Sequence, residues 1–577
     1  MAACWACALP PLLAYNLSPS PTLINQCLAF GTWGAFVLTL APGGLSGKAW
    51  SLHAALLALV AAVLWSWWPG QLPAPLALSA LALLLGAMLV AWAATEVARR
   101  RDAVDAFAAF AWGMLLAGLL STVVALVQVF APGWADGTFI AHSGLVGRAV
   151  GNLRQPNHLC SLLLWAVIAA AGLLELRRLP VSMAVAAVVA LVFAVELSAS
   201  RTGAAGLLLL ALWGGFGKRM SRPARWLLLA TPLIYAMSYG AMWGWGEYTQ
   251  HAVGAEARIS HEGTGIESPN SRSRIWGNAL AMVAHQPWTG VGFGEFNLAW
   301  SLEAFPQRPT AFFDHTHNLP LQLAVELGLP LSTLVMGLLA AALVIAWRRC
   351  RQAAGERHAA ASAAWMMVLM IGLHSLVEYP LWYAYFLLPA AFAWGFSLGI
   401  PADEGVVAKP AAAGMLAGAV MVSCAGLALV DYMSVVAIYA PGDTPMSLSE
   451  RIARGQRSPL FSYQGDYAAA TTPNADADTA LAFARAPHFL MDTRLMVAWA
   501  RYLADTGRLD QARWLAQRIR EFRNPDADEV FAPCKAATVP ALPTDAAPPF
   551  QCQQPVTAHD WREFTIPPPA GQPAVVR

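Results

Sequence analysis

The sequence predicts an all-α, polytopic integral membrane protein of about 11–13 transmembrane helices, with a mainly helical domain after the last span. Three observations carry that reading. Of 577 residues, 57% are hydrophobic and only 12% charged, about half the charged share of a soluble chain. The apolar residues gather into stretches near the ~20 residues that cross a ~30 Å hydrocarbon core as a helix. These stretches are rich in Ala, Leu and Val without period-2 alternation, which rules out barrel strands and leaves helices to satisfy the backbone in lipid. A net charge of +2 gives no electrostatic case for nucleic acid.

In chain order the apolar spans lie near 1–14, 26–41, 50–68, 76–95, 106–130, 157–176, 181–199, 203–217, 226–245, 319–346, 361–380, 381–399 and 412–432. The first and the 203–217 span are short, which sets the range in the count. Met1 to Pro11 has no basic segment of the kind that opens a cleavable signal, so the first spans are expected to act as uncleaved anchors. Arg99–Arg101, Arg177–Arg178, Lys218 to Arg225 and Arg348 to Arg357 fall on one side, and that side is expected to be cytoplasmic. The opposite, periplasmic side of a bacterial inner membrane then receives 131–156, the large loop 246–318 and the tail.

Residues 1–433 are thus read as a membrane domain and 440–577 as a periplasmic tail, where Pro, Asp, Arg and Gln appear and apolar runs stop. Within the tail, Leu503 to Arg513 reads as helix, Gly507 turn, helix, like one tetratricopeptide hairpin with Ala512 as its small packing residue. The last ~45 residues are Pro- and Ala-rich and read as extended. Six of eight cysteines lie in or beside spans and read as small apolar packers. Cys534 and Cys552 stand alone in the exported tail and are expected to form a disulfide.

Polar groups at membrane depth are costly and by default mark a site. Four clusters stand out, all on the outer side. Arg148 to His158 leads into a helix that Pro156 can start at its first position, with Gln155 as its cap. Unpaired N–H groups there, beside Arg148 and Arg154, suit phosphate oxygens; an ordinary capping loop is the plainer alternative. Ser198 to Gly203 places Arg201 between two spans, either snorkelling to the interface or pointing into a cavity. The large loop holds Asn270 to Trp276, with Arg272 and Arg274, then a glycine run from Gly290 to Gly294, and ends at Asp314-His315-Thr316-His317-Asn318. The glycines suit a turn or close approach to a ligand. Histidines 315 and 317 suit a base better than a metal site, because further ligands are not obvious nearby. Finally, His374 and Glu378 are one helical turn apart and share a face, and Pro380 breaks the helix beside Glu378 and Tyr379. An interfacial aromatic belt would explain the Tyr and Trp residues there but not the His and Glu.

These pieces together resemble the O-antigen ligase superfamily, in particular its protein O-oligosaccharyltransferase branch that glycosylates pilins. They are Gly151-Asn152 with Gln155-Pro156-Asn157, Ser198 to Thr202, Arg272 to Trp276, Gly290 to Phe296, His315 to Asn318 with Glu326-Leu327-Gly328, and His374 to Leu381. The ordered set covers roughly 140–400, most of the membrane part. The resemblance implies a donor oligosaccharide on polyprenyl pyrophosphate, an acceptor hydroxyl, no cofactor and no metal. It also implies His317 as base or acceptor-orienting residue, with His315 the alternative, and Arg201, Arg272 and Arg274 as the pyrophosphate clamp, helped by Arg154. Gln155, Glu378 and Tyr379 would orient sugar or acceptor. The acceptor would be a Ser or Thr of a periplasmic protein such as pilin; lipid A core, or another glycan repeat unit in a polymerase, are the alternatives within the superfamily. A transporter or flippase should show matching repeats, which the sequence lacks, and a scaffold would leave His317 and the arginines unexplained.

Overall fold

The structure, a computed structural model, describes residues 1–44, 46–70, 72–262, 272–401, 407, 410–473, 479–536 and 548–565. Asn270 and the Pro/Ala-rich end beyond Thr565 lie outside the described residues. Among the described residues there are helices and no strand. Nine helices among them are long and apolar enough to cross a membrane: Leu23–Leu40, Trp50–Trp67, Ala74–Ala98, Ala103–Phe130, Pro156–Glu175, Val181–Ser198, Leu319–Gln352, Gly355–Ser375 and Ala412–Tyr439. Ala2–Leu12, Arg201–Phe216 and Ala384–Gly399 are apolar but shorter. The chain is a multi-pass, all-α membrane protein.

Three expected spans differ in detail, each for a local backbone reason. The 226–245 stretch is two helices, Arg222–Leu229 and Thr231–Thr249, and neither is among the nine. Pro232 has no N–H to donate and would crowd the carbonyl four residues back, so a new helix starts there. Leu319–Gln352 is broken at Gly328, where φ is 73° and ψ 169°. Gly355–Ser375 stops five residues before Pro380, so Glu378 lies past the helix end. The reading of His374 and Glu378 as two positions on one helix face is corrected accordingly. A residue before proline is pushed out of the helical region, and Tyr379 has φ −128° and ψ 48°.

The chain divides into two compact units. The first comprises Met1–Leu57, Ala82–Gly265 and Val335–Leu429. Its central helix is Pro156–Glu175, apolar all round and buried along nearly its whole length. A Cβ on Gly118 would stand 2.3 Å from that of Ala166, so Ala103–Phe130 approaches the central helix almost to backbone contact. Such small-residue crossings provide the packing that holds helices together in lipid, where burial itself drives little. Trp33, Phe110 and Phe392 add an aromatic cluster, with ring centroids 4.8 to 6.1 Å apart.

The second unit comprises Ala58–Leu81, Ile266–Leu334 and Val430–Arg577, so the end of the large loop packs with the tail. In the tail, Thr493–Asp505 and Leu509–Phe522 form the expected hairpin around Gly507, which has φ 81°, and Ala512 is fully buried. Arg308 fastens the loop to these helices. It is 2% exposed, lies over the rings of Trp300, Phe305 and Phe522, and donates to Glu521 at 3.2 Å. Burial pulls its pKa down to about 10 against the pull of Glu521, so it stays charged at neutral pH. Buried Glu295 accepts from Nδ1 of His488 at 2.8 Å, and Asn297 joins the Phe313 carbonyl to the Met491 N–H. Cys534 and Cys552 are disulfide-bonded, with Cα atoms 5.3 Å apart.

Candidate functional site

In the first unit the chain approaches the central helix through a turn held from both sides. The buried Gln128 side chain accepts from the N–H groups of Val150 and Gly151 and donates to the carbonyls of Ala141 and Gly151. Asn152 accepts from Ala141 N–H and donates to Leu12 and Phe139 carbonyls. Its amide is therefore spent on structure. Gln155 caps the helix as the sequence predicts, accepting from His158 N–H at 2.6 Å. Arg154 has φ 56° and turns toward the N-terminal segment, donating to Ala14 and Pro21 carbonyls. Burial lowers its pKa. The structure gives Arg154 a fastening role, with its guanidinium turned to backbone.

Asn157 is the hub of the next group. It accepts from Ser200 Oγ at 2.6 Å and donates to Glu378 at 3.3 Å. Ser200 in turn caps the helix that begins at Arg201, accepting from Gly203 N–H. One asparagine thus links three of the sequence clusters. Arg201 is exposed at the first position of its helix, where the helix dipole already presents positive potential. The side chain and the helix end thus place positive potential together, which suits an anion such as a phosphate group. His158 and His374 are both buried, with His374 Nδ1 hydrogen-bonded to Ser161 at 2.6 Å. The rings of Tyr379, Tyr383 and Phe386 surround His158 at 4.7 to 6.3 Å. Sequence reading quoted both histidines without giving His158 a role; its neighbours come from a segment more than 200 positions away.

In the second unit the two histidines of the loop end sit on a rigid turn. Asn318 caps the following helix by accepting from Leu321 N–H at 2.9 Å. Gln322 accepts from Thr316 N–H at 2.7 Å and donates to Glu326 at 2.9 Å. Held this way, His317 adopts φ 56°, a left-handed conformation that non-glycine residues take up only when surroundings impose it. Its ring lies 4.4 Å from that of His315 and 5.7 Å from Phe313. His315 is buried and donates through Nδ1 to the Asp314 carboxylate, while His317 is half-buried. A base that must receive a proton from a large acceptor has to be reachable, and of the two His317 is.

The helix Arg272–His285 carries the loop arginines to this turn. Trp276 Nε1 donates to the Thr316 carbonyl, between the two histidines, at 2.9 Å. Arg272 is exposed and Arg274 half-buried on the first turn of that helix, again at the positive end of a helix dipole. The glycine run packs against backbone. Val291 and Gly292 N–H groups donate to the Val325 and Glu326 carbonyls at 2.9 Å, and a Cβ on Gly290 would stand 2.5 Å from both carbonyl oxygens. The glycine run therefore forms a turn that packs closely on the chain's own Val325–Gly328 segment.

With this geometry in place, comparison with known proteins is direct. Residues 186–336 match the family described as O-antigen ligase. The match runs through the turn before Arg201, the loop arginines and the histidine turn. Residues 149–174 match a protein glycosylation ligase family and include Gln155-Pro156-Asn157. Residues 362–533 match the C-terminal part of a virulence factor membrane-bound polymerase family. Beside these, the chain is similar to a general O-oligosaccharyltransferase of Acinetobacter baylyi, 26% identical over 273 residues, 46% of each chain. It is also similar to a ComP-specific O-oligosaccharyltransferase of the same organism, 24% identical over 298 residues, 50% of each. The chain spans about half the length of the curated relatives it matches.

Proposed function

We propose that this protein is an O-oligosaccharyltransferase. It moves a preassembled glycan from polyprenyl pyrophosphate to a Ser or Thr hydroxyl of an exported protein such as pilin. The carrying observation is the Trp276–Thr316 hydrogen bond, which ties arginines at a helix N-terminus to a strained, accessible histidine. Anion stabilisation and proton removal are the two needs of this transfer. The acceptor oxygen bonds to the anomeric carbon while the bond from that carbon to the pyrophosphate oxygen breaks, with inversion. His317 takes the hydroxyl proton, and His315, held by Asp314, sets its orientation. Arg272, Arg274 and Arg201 neutralise the charge that develops on the departing polyprenyl pyrophosphate. Gln155, Glu378 and Tyr379 orient sugar or acceptor, and Arg154 supports them by anchoring the turn.

The names of the relatives support a protein acceptor, as does the match over Gln155-Pro156-Asn157. The reaction belongs on the periplasmic side of a bacterial inner membrane, where the Lys/Arg bias puts the large loop and the tail. The test is co-expression with a lipid-linked glycan pathway and a candidate pilin, read by mass spectrometry. Glycan on the protein is expected; glycan only on lipid A core, or only lengthened on carrier lipid, would replace this reading with a ligase or a polymerase.

A further inference from the structure

The tail contains a cleft of about 1020 Å³, at the upper end of what small-molecule sites occupy (~300–1,000 Å³). One wall is a single face of Thr493–Asp505, since Arg494, Ala498, Arg501 and Asp505 recur at helical spacing. Asp526 and Glu529 line the cleft as well, as does Asp492. Phe312 also lines it, its ring stacked on Phe522 at 3.9 Å between centroids. The lining therefore offers arginines and carboxylates together, with a fixed apolar contact beside them.

We infer that this cleft binds an extended peptide segment of the acceptor protein, flanking the hydroxyl to be glycosylated; the inference rests on the transferase reading above. A polypeptide presents donors, acceptors and side chains of both signs along its length, which is what a lining of mixed charge and exposed polar groups matches. Faces of packed helical hairpins are widely used for extended chains. Position adds the second argument. Phe312 belongs to the loop that ends in the histidine turn, and the Phe313 ring touches that of His317. Phe312 and His317 are five residues apart, a reach of at most ~18 Å. About five residues of acceptor leading out of the cleft would thus bring a hydroxyl to the base.

The test uses the full-length protein. Proteins glycosylated by the wild-type strain are identified by mass spectrometry, and 15-residue peptides spanning each modified Ser or Thr are synthesised with a fluorophore. Binding of these peptides to the purified protein is measured by anisotropy for wild type, Arg501→Glu and Arg501→Lys. Arg501 is exposed, so neither change disturbs the core. Arg501→Glu is expected to weaken binding about 10-fold, as loss of an arginine anchor does. Glycan occupancy in cells should fall in parallel while release of glycan from the lipid donor into water is unchanged; Arg501→Lys should be intermediate. Peptide binding and occupancy equal to wild type in Arg501→Glu would overturn the inference while leaving the transferase reading intact. Loss of donor hydrolysis in that variant would overturn it in favour of a glycan-binding cleft. A wild-type strain that glycosylates no protein would instead defeat the transferase reading itself.

Discussion

Gly328→Ala tests whether the glycine run and the helix break form one junction. Gly328 has φ 73° and ψ 169°, a region essentially reserved for glycine that costs another residue about 1–3 kcal/mol. Its new Cβ would stand 2.4 Å from the Trp288 carbonyl oxygen and 2.5 Å from the carbon. Both are backbone atoms, so no side-chain rotation relieves the contact. Opening the junction is the remaining escape. It breaks the Val291–Val325, Gly292–Glu326 and Leu329–Pro287 backbone hydrogen bonds, at about 1 kcal/mol each. Those bonds favour the closed junction equally in both proteins; strain of up to about 3 kcal/mol in the closed form lowers the ratio of closed to open junction by as much as roughly 150-fold. Hydrogen exchange of the purified protein in detergent should show faster exchange at 287–292 and 325–329, with glycan transfer reduced because the Glu326–Gln322–Thr316 support of His317 hangs on the same segment. Gly277→Ala is the control: nothing lies within 4 Å of its Cβ, and a helix gains about 0.5–1 kcal/mol from that change. Unchanged exchange in Gly328→Ala would refute the junction.

Three further outcomes are expected. His317→Ala should cut transfer about 10²–10⁴-fold with donor binding retained, whereas Arg201→Lys should weaken donor-lipid binding, since an ammonium cannot reproduce a two-pronged grip on phosphate; near-normal transfer by His317→Ala would move the base to His315. Thiol labelling of unreduced protein should leave Cys534 and Cys552 unreactive until reductant is added, and free thiols at both would place the tail on the reducing side of the membrane. Slight burial pushes the Asp510 carboxyl up, but the N–H groups of Val556 and Thr557, the Thr557 hydroxyl and His559 outweigh it and hold it well below the usual range. A lowered folded pKa contributes stability above the unfolded value of about 4, lost as pH falls below it; proteolysis of 548–565 should therefore accelerate below about pH 4, and Asp510→Asn should show that rate already at pH 7.

Membrane class, the Gln155 cap, the tail hairpin around Gly507 and the cysteine pair were readable in the sequence because each depends on neighbours in the chain or on bulk composition. Burial of an apolar helix in lipid needs only its own length, and a cap needs only the three residues after it. The site needed the fold. Asn152 and Asn157 look alike in the sequence, yet one is consumed by carbonyls of Leu12 and Phe139 and the other joins Ser200 to Glu378. Arg154 and Arg201 both read as phosphate ligands, and only tertiary packing turned Arg154 to Ala14 and Pro21. The partnership of Glu295 with His488 spans 193 positions, and no local pattern encodes it. Hydrogen bonds act over about 3 Å, so a polar residue's role is decided by whichever distant segment the packing of apolar faces brings within that range.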